Sequence, residues 1–243
     1  MKWFQWEKDD MTTNTALILA AGYGMRMRPV TSKIPKPMIE IYNKPLLGHT
    51  IETLLSIGIK NIIINTHYKS KIINNYIKTN FGLLNIKILY EPKILDTAGA
   101  LKNAKKYLNE DIILTINSDV FWNSKNNKDL INLKKNILNK NFKCRLLLSK
   151  IKNTYGIKKI RGDFYFKKNK LQRNKKNHRG FFYTGAQVIN INILNNFNKK
   201  KFSFNEVWNY LIFENKIDNL IMKSKILHLG DFEGLKHISK FNP

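Results

Sequence analysis

The sequence has little cysteine, few acidic residues and no long hydrophobic run, and each shortage excludes a class of protein. Its 243 residues include one cysteine, Cys144, which alone can form neither an internal disulfide nor a zinc site. Because Cys144 lies in an apolar run, we expect a buried small hydrophobic side chain rather than a nucleophile. No apolar stretch approaches the roughly 18 to 20 residues that cross a bilayer, and residues 1–15 lack the apolar segment of a signal peptide. These absences predict a cytoplasmic protein with no membrane partner.

Acidic residues are scarce, since 17 Asp and Glu face 43 Lys and Arg, for a net charge of +26. Such a balance is typical of proteins that bind nucleic acid, anionic membranes or phosphorylated substrates. The lysines are spread over the whole chain together with many Asn and Ile, and all three share AT-rich codons. The densest basic stretch, 167–176, contains asparagines and predicts a solvated hairpin or loop. We therefore expect no nucleic-acid partner, but a positive field that concentrates phosphorylated substrates near a cleft.

Apolar strand-like segments alternate with segments of helical spacing over the first 150 residues, which predicts an α/β fold with a largely parallel sheet. Strands are predicted at 16–20, 62–64, 86–90, 112–116 and 145–149. Helices are predicted at 46–57, 70–79, 99–108 and 126–139. Gly58 is a natural helix stop and Ser70 a candidate N-cap.

The rhythm changes after about residue 150. A hairpin is predicted around 164–171, a strand at 181–189, a helix at 204–214 with Ser203 or Asn205 as its cap, and a helix at 235–240. Residues 1–14 precede the first strand and are predicted to be an extension, with Met1 and Met11 both candidate starts. Residues 15–243 are predicted to form a single domain. The sequence has no hexapeptide repeat, so we expect no β-helix domain.

The most informative stretch is residues 17–37, LILAAGYGMRMRPVTSKIPKP. A buried strand leads into a loop whose small residues allow backbone N–H groups to approach an anion closely. Arg26 offers a forked donor suited to phosphate oxygens, and the flanking prolines stiffen the backbone around Lys36. The small residues of the predicted phosphate loop are Ala20, Ala21, Gly22 and Gly24. An ordinary strand-to-loop turn is the alternative for the glycine pair alone, because Gly-x-Gly is a weak signal.

Another predicted apolar strand, 112–116, is followed closely by the carboxylate of Asp119. In open α/β sheets ligands collect at the C-terminal ends of strands. Mg²⁺ is commonly held by one or two carboxylates together with substrate phosphates. The position therefore predicts that Asp119 is a magnesium ligand, with a turn or helix-cap aspartate as the alternative.

Stretch 17–37 resembles the signature of the sugar-1-phosphate nucleotidyltransferases, Leu-Ala-Ala-Gly-x-Gly-x-Arg followed by Pro-Lys-Pro. The resemblance implies a Rossmann-like fold of the nucleotide-diphospho-sugar transferase type, with a mixed, mostly parallel sheet flanked by helices. It also implies transfer of a nucleoside monophosphate from a nucleoside triphosphate to a sugar 1-phosphate, with Arg26 and Lys36 as catalytic cations. The family's Mg²⁺ ligands correspond to Asp119 and Asp231. The chain departs from the family pattern at Ser118, where glycine is usual, and at Glu233 and Gly234, where Gly and Thr are usual.

The segment from Glu91 to Ala100 resembles the family's turn that contacts the base and ribose. An N-capped helix, with Asp96 or Thr97 as the cap, is the alternative, and both descriptions can hold together. The predicted nucleotide contacts are Leu19, Ala20, Ala21, Gly22, Gly24, Asn65, Gly99, Ala100 and Asn117. The resemblance places them in a nucleotide-binding half, residues 15–150.

Residues 151–243 are then the sugar-binding half. The segments 161–164, 184–185 and 202–212 resemble bacterial N-acetylmuramic acid 1-phosphate uridylyltransferases, which implies UTP as donor and a role in peptidoglycan recycling. The sugar contacts implied are Asp163, Thr184 and Gly185, and a monomer is expected. The rivals are a mannose-1-phosphate guanylyltransferase, a glucose-1-phosphate thymidylyltransferase or a transfer from CTP to a phosphocholine-type acceptor. Two rivals from other classes are a nucleic-acid-binding protein and a catalytically degenerate nucleotide-binding regulator.

Overall fold

The computed structural model describes residues 12–135, 141–157, 161–175, 178–239 and 241. Most of its strands belong to one nine-stranded mixed sheet, and two small sheets accompany it. The strands are β1 (Thr15–Leu19), β2 (Glu40–Ile41), β3 (Lys44–Pro45), β4 (Asn61–Thr66), β5 (Ile86–Tyr90), β6 (Ile112–Asn117), β7 (Val120–Phe121), β8 (Cys144–Lys150), β9 (Thr154–Tyr155), β10 (Phe164–Lys167), β11 (Lys170–Arg173), β12 (Phe181–Asn190), β13 (Ile217–Ile221) and β14 (Ile226–His228). The helices are α1 (Val30–Lys33), α2 (Leu46–Ser56), α3 (Ser70–Phe81), α4 (Asp96–Ala104), α5 (Asn127–Lys134), α6 (Phe204–Phe213) and α7 (Phe232–Lys236).

The order of the strands explains where a site forms. β5, β4, β1 and β6 are adjacent and parallel, with β1 between β4 and β6. The chain therefore leaves β1 toward one neighbour and returns on its other side, which opens a crevice at the C-terminal ends of these strands. The loop after β1, the end of β4 and the turn after β6 all meet at this edge.

The second part of the sheet is largely antiparallel and is joined to the first without a break. β12 pairs antiparallel with both β6 and β8, and its register shifts between Tyr183 and Gln187. β10 and β11 form the predicted hairpin, which pairs with the beginning of β12. The predicted Rossmann-like α/β fold with a mixed sheet is confirmed.

Two hydrophobic cores lie on opposite faces of the sheet because strand side chains alternate. In β1, Ala16 and Ile18 belong to the core under α2, α3 and α5, whereas Leu17 belongs to the core under α4 and α6. The helices present matching apolar stripes, as with the fully buried Leu47, Ile51 and Leu54 of α2. These cores fix the strand ends on which the crevice depends.

Several predicted helix boundaries are confirmed in type and corrected in position. Gly58 ends α2 with a φ of 81°, and its N–H donates to the carbonyl of Leu55. Ser70 is not a cap: it is the first helical residue, and Lys69 precedes it in the left-handed conformation without a side-chain capping bond. Ser203 caps α6 in a capping box with Glu206, as one of the two alternatives predicted.

The helix predicted at 99–108 begins earlier, at Asp96, and gives way to a 3-10 turn at Lys105–Tyr107. Neither Asp96 nor Thr97 acts as its N-cap, since Leu95 holds that position. The observed α5 covers the first part of the helix predicted at 126–139, and residues 136–139 of that prediction lie outside the described residues. α7 covers Phe232–Lys236 rather than 235–240, and residue 240 is not described. Across the described ranges, no helix has the length and apolar character that crossing a membrane requires.

Candidate active site

A cavity of about 330 Å³ opens at the C-terminal ends of β1, β4 and β6. It brings together residues from the phosphate loop, the Pro-Lys-Pro turn and the strand ends. Its lining consists of Leu19, Ala20, Ala21, Gly22, Gly24, Met25, Arg26, Lys36, Pro37, Asn65, Glu91, Ile94, Asp96, Thr97, Asn117, Ser118, Asp119 and Gly230. Most of the predicted nucleotide contacts and both predicted catalytic cations are in this set.

The loop after β1 owes its shape to one glycine. Gly24 has a φ of 66°, and a Cβ there would lie 2.9 Å from the side chain of Thr31, whose hydroxyl donates to the carbonyl of Gly24 at 2.8 Å. Gly22 has open space where a Cβ would lie. A 3-10 turn, Met25–Met27, follows and leaves Arg26 exposed at the cavity. Gly24 is thus required by the turn, and Gly22 leaves the loop surface open.

Lys36 and Asp119 form an ion pair across the cavity, with Nζ 2.8 Å from Oδ2. Their side chains are only 12% and 22% exposed, so solvent screens the pair weakly. Burial alone raises the pKa of Asp119, but Lys36, then His228 and Arg26, outweigh it and hold the pKa well below its usual range. Asp119 is therefore a carboxylate at any physiological pH.

The other carboxylate oxygen of Asp119 suits a cation. Oδ1 is buried and has no hydrogen-bond partner among the described residues, so its lone pairs are unused. No group of three or more His, Cys, Asp or Glu side chains arranged to hold a metal occurs in the described ranges. Mg²⁺ needs no such cage, since one or two carboxylates, substrate phosphates and water complete its shell. The residues present therefore fit a Mg²⁺ ion shared with a phosphorylated substrate.

His228 also contacts this carboxylate. Its Nε2 lies 3.6 Å from Oδ2 of Asp119, and the N–H of Gly230 donates to its Nδ1 at 3.2 Å. Burial lowers the pKa of His228, Asp119 opposes this, and Lys36 and Arg26 reinforce it, so the ring is neutral near pH 7. Asp231, the second predicted metal ligand, follows Gly230 directly and is partly exposed.

A buried polar brace holds the nucleotide side of the cavity. Asn65 accepts from the N–H of Ala20 at 3.0 Å and donates to Glu91 at 2.8 Å. The second oxygen of Glu91 accepts from the N–H of Leu95 at 3.1 Å. Asn65 and Glu91 are 4% and 1% exposed, so they tie the first loop to the segment before α4 from within the fold.

The structure does not bring every predicted residue to the cavity. Gly99 and Ala100 are buried in α4, where a Cβ on Gly99 would lie 2.4 Å from the carbonyl of Lys200. Ile94, Asp96 and Thr97 line the cavity instead. The predicted base contact of Gly99 and Ala100 stays a prediction.

The predicted sugar contacts pack or form hydrogen bonds within the fold. The hydroxyl of Thr184 is fully buried and donates to the carbonyl of Leu147 at 2.8 Å. Gly185 has a φ of 90°, and a Cβ there would lie 2.9 Å from the side chain of Asn117. Asp163 accepts from the N–H of Tyr183 at 2.9 Å. All three lie outside the lining of the cavity.

Sequence reasoning did not identify His228 or Glu91 as site residues. The position of His228 shortly before Asp231 was the one available signal. The departure at Ser118 is accommodated, since its hydroxyl donates to the carbonyl of Leu19 at 2.6 Å. Cys144 is buried, donates to Gln187, and has a pKa raised by burial, which agrees with a packing role.

The model of the family described as "Nucleotidyl transferase" matches residues 15–171. The chain belongs to this family, as the signature at 17–37 predicted. Its matches include the mannose-1-phosphate guanyltransferase of Gibberella zeae, 39% identical over 109 residues, and the catalytic subunit beta of the mannose-1-phosphate guanylyltransferase of Danio rerio, also 39% identical over 109 residues. Each match covers 43% of this chain and 30% of the relative's length.

Solved structures share the fold. HddC from Yersinia pseudotuberculosis is 23% identical with a TM-score of 0.70, over 94% of this chain and 99% of that one. The inositol-1-phosphate CTP transferase from T. maritima is 14% identical with a TM-score of 0.74, over 96% and 99%. A putative glucose-1-phosphate thymidylyltransferase from Bacillus anthracis is 15% identical with a TM-score of 0.71, over 93% and 94%.

Proposed function

We propose that this chain transfers a nucleoside monophosphate from a nucleoside triphosphate to a sugar 1-phosphate and releases pyrophosphate. The observation that carries the proposal is the partly buried contact between Lys36 and Asp119 in a cavity bordered by the glycine loop. A cation, a carboxylate with an unused oxygen and a loop of small residues that lets phosphates approach the backbone are the parts that a triphosphate and its metal require.

The reaction needs no general base. A phosphate oxygen of the sugar 1-phosphate is already anionic; it forms a bond to the α-phosphorus while the bond from that phosphorus to the β-phosphate oxygen breaks. Pyrophosphate leaves with the electron pair. Catalysis then consists of positioning and charge neutralisation, which explains a site without a His, Ser or Cys nucleophile.

The site residues have separate tasks in this scheme. Arg26 binds the departing pyrophosphate, and Lys36 neutralises charge on the reacting phosphates. The backbone of the loop at 20–24 holds the triphosphate, and Asp119 with Asp231 would hold Mg²⁺, which would supply positive charge to the reacting phosphates. Residues 15–150 serve the nucleotide and residues 151–243 the sugar.

For the substrate pair we propose GTP with a mannose-type hexose 1-phosphate. The support is the 39% identity to mannose-1-phosphate guanyltransferases. UTP with N-acetylmuramic acid 1-phosphate, predicted from segments 161–164, 184–185 and 202–212, has weaker support. The side chains of Asp163 and Thr184 in those segments are bonded within the fold.

The test is pyrophosphate release with Mg²⁺, crossing GTP, UTP, dTTP and CTP against the 1-phosphates of mannose, glucose, N-acetylglucosamine and N-acetylmuramic acid. We expect the largest kcat/KM for GTP with mannose 1-phosphate. A preference for UTP with N-acetylmuramic acid 1-phosphate would restore the sequence-based prediction and keep the site. Nucleotide binding without turnover on any pair would point to a degenerate regulator and would refute the proposed activity.

A further inference from the structure

His228 is the one imidazole that contacts the predicted metal carboxylate in the described part of the chain. Besides the contact of Nε2 with Asp119, its ring packs edge-on against Phe182, with centroids 5.3 Å apart. The ring is therefore fixed on one side by an aromatic neighbour and on another by the Gly230 N–H. These contacts fix the orientation of the His228 ring in the fold.

The backbone next to His228 leaves space for its ring at Gly230. A Cβ on Gly230 would lie 2.2 Å from Cε1 of His228, so only glycine fits there with the imidazole in place. The N–H of Leu229 donates to the carbonyl of Asp119 at 2.8 Å, which joins β14 directly to the turn after β6. His228 thus sits between Asp119 and the turn that carries Asp231.

The hydrogen-bond pattern fixes the position of the ring proton. Because the Gly230 N–H donates to Nδ1, that nitrogen must be an acceptor, and the neutral ring carries its proton on Nε2. This Nε2–H faces Oδ2 of Asp119. At 3.6 Å the contact is electrostatic and longer than a hydrogen bond.

Lys36 donates to the same oxygen, Oδ2 of Asp119. In the proposed reaction, however, the Lys36 ammonium neutralises charge on the reacting phosphates. When the Lys36 ammonium moves to the phosphates, Oδ2 of Asp119 loses the 2.8 Å hydrogen bond that Lys36 donates to it. His228 is then the side chain already in contact with that oxygen. With Oδ2 held by Nε2–H, the unused Oδ1 stays available to the metal.

We infer that His228 is a positioning residue that orients the Asp119 carboxylate, and the adjoining Asp231 turn, for a divalent cation. The inference rests on the proposed function, because it needs Asp119 to be a metal ligand. Side chains that orient metal ligands typically change metal affinity about 10- to 100-fold when they are replaced.

Two substitutions separate the two nitrogens of the ring. In His228→Asn the amide oxygen stands near the place of Nδ1, so the Gly230 bond is kept and the contact with Asp119 is lost. In His228→Gln the amide nitrogen reaches the place of Nε2, so a donor to Asp119 is kept. His228→Phe keeps the volume of a ring and removes both nitrogens. His178→Asn is the matched control, since His178 is exposed and stacks on Tyr165.

The measurement is Mn²⁺ binding to each protein in the presence of GTP, by electron paramagnetic resonance, with thermal unfolding recorded on the same samples. We expect about 10-fold weaker Mn²⁺ binding for His228→Asn and His228→Phe at nearly unchanged unfolding temperature. His228→Gln and His178→Asn are expected to stay near wild type. The apparent KM for Mg²⁺ should rise in the first two variants more than kcat falls.

The outcomes distinguish this inference from the proposed function. If wild type binds Mn²⁺ and His228→Asn and His228→Phe bind it equally well, the inference is wrong and the metal site stands. Equal weakening in His228→Gln and His228→Asn would also overturn it, because the donor to Asp119 would then be irrelevant. If wild type shows no Mn²⁺ binding with GTP, the metal role of Asp119 fails and the inference fails with it. Should His228→Asn not fold, the comparison of His228→Phe with His228→Gln decides.

Discussion

The first loop and the neighbouring strand ends direct polar side chains into a cavity. In the segments predicted to bind the sugar, by contrast, the polar side chains form hydrogen bonds within the fold. Arg26, Lys36 and Asp119 all line the cavity, and Asp119 keeps a carboxylate oxygen without a partner in the described structure. The side chains of Thr184 and Asp163, by contrast, form hydrogen bonds to the backbone of neighbouring strands. Groups that are buried and satisfied stabilise a fold, while oriented groups with remaining bonding capacity are available to a ligand. The two regions should therefore respond to substitution in different ways.

The largest effect is expected at Lys36. Replacing Lys36 by Ala removes a preorganised cation from the cavity, and kcat should fall by roughly 10²-fold or more, the scale of losing one such donor. Steady-state pyrophosphate release measures it. Lys44→Ala is the matched control, because Lys44 pairs with Glu52 at an exposed position and should leave kcat unchanged. Near-normal turnover without Lys36 would remove the main distinction between the two regions.

Asp119 should make stability depend on pH in the acidic range. Its folded-state pKa lies below the unfolded value of about 3.9, so it contributes stability above that pH and loses it as the pH falls further. Asp119→Asn removes this contribution and leaves Lys36 without its partner. The difference in free energy of unfolding between wild type and the variant should shrink as the pH drops from 7 toward 3. Urea denaturation at several pH values measures it, and a difference independent of pH would contradict the electrostatic account.

Two glycines of the first loop offer a sharper contrast. Gly24→Ala meets both a φ of 66° and the side chain of Thr31, so it should destabilise the fold by about 1 kcal/mol or more. Gly22→Ala enters open space and should leave stability unchanged while weakening nucleotide binding, because its methyl group covers backbone N–H groups. Urea denaturation and GTP titration separate the two. Unchanged affinity in the Gly22 variant would mean that phosphates do not approach the loop there.

The sequence predicted the fold well because the fold depends on local patterns, and several residues of the run at 17–37 line the cavity. Contiguous residues are enough to recognise the apolar strands, the helix end at Gly58 and the run at 17–37. The brace from Ala20 through Asn65 to Glu91 joins three strand ends that are distant in sequence, and only strand order brings them together. The same holds for His228, whose contact with Asp119 depends on the joining of β14 to the turn after β6. Ser70 and Asp96 are not caps because each is the first residue of its helix, with Lys69 and Leu95 in the cap positions. Residue type alone does not fix the residue at which a helix begins.

The smallest catalytic effect is expected at Thr184, and it tests the second region directly. Thr184→Val keeps the shape of the side chain and removes the hydroxyl, which leaves the buried carbonyl of Leu147 without that donor. The free energy of unfolding should fall by about 1 to 3 kcal/mol, while KM for the sugar 1-phosphate stays unchanged. Thr53, whose burial is similar, provides a control position for the same substitution outside the site. A clear rise in KM in the Thr184 variant alone would show that the hydroxyl leaves Leu147 to meet the sugar, and the sugar contact predicted from the sequence would then hold. An unchanged KM would instead place sugar recognition on groups nearer to Asp119. The hydrogen bond from Thr184 to Leu147 would then hold the two strands in position and have no part in binding the substrate.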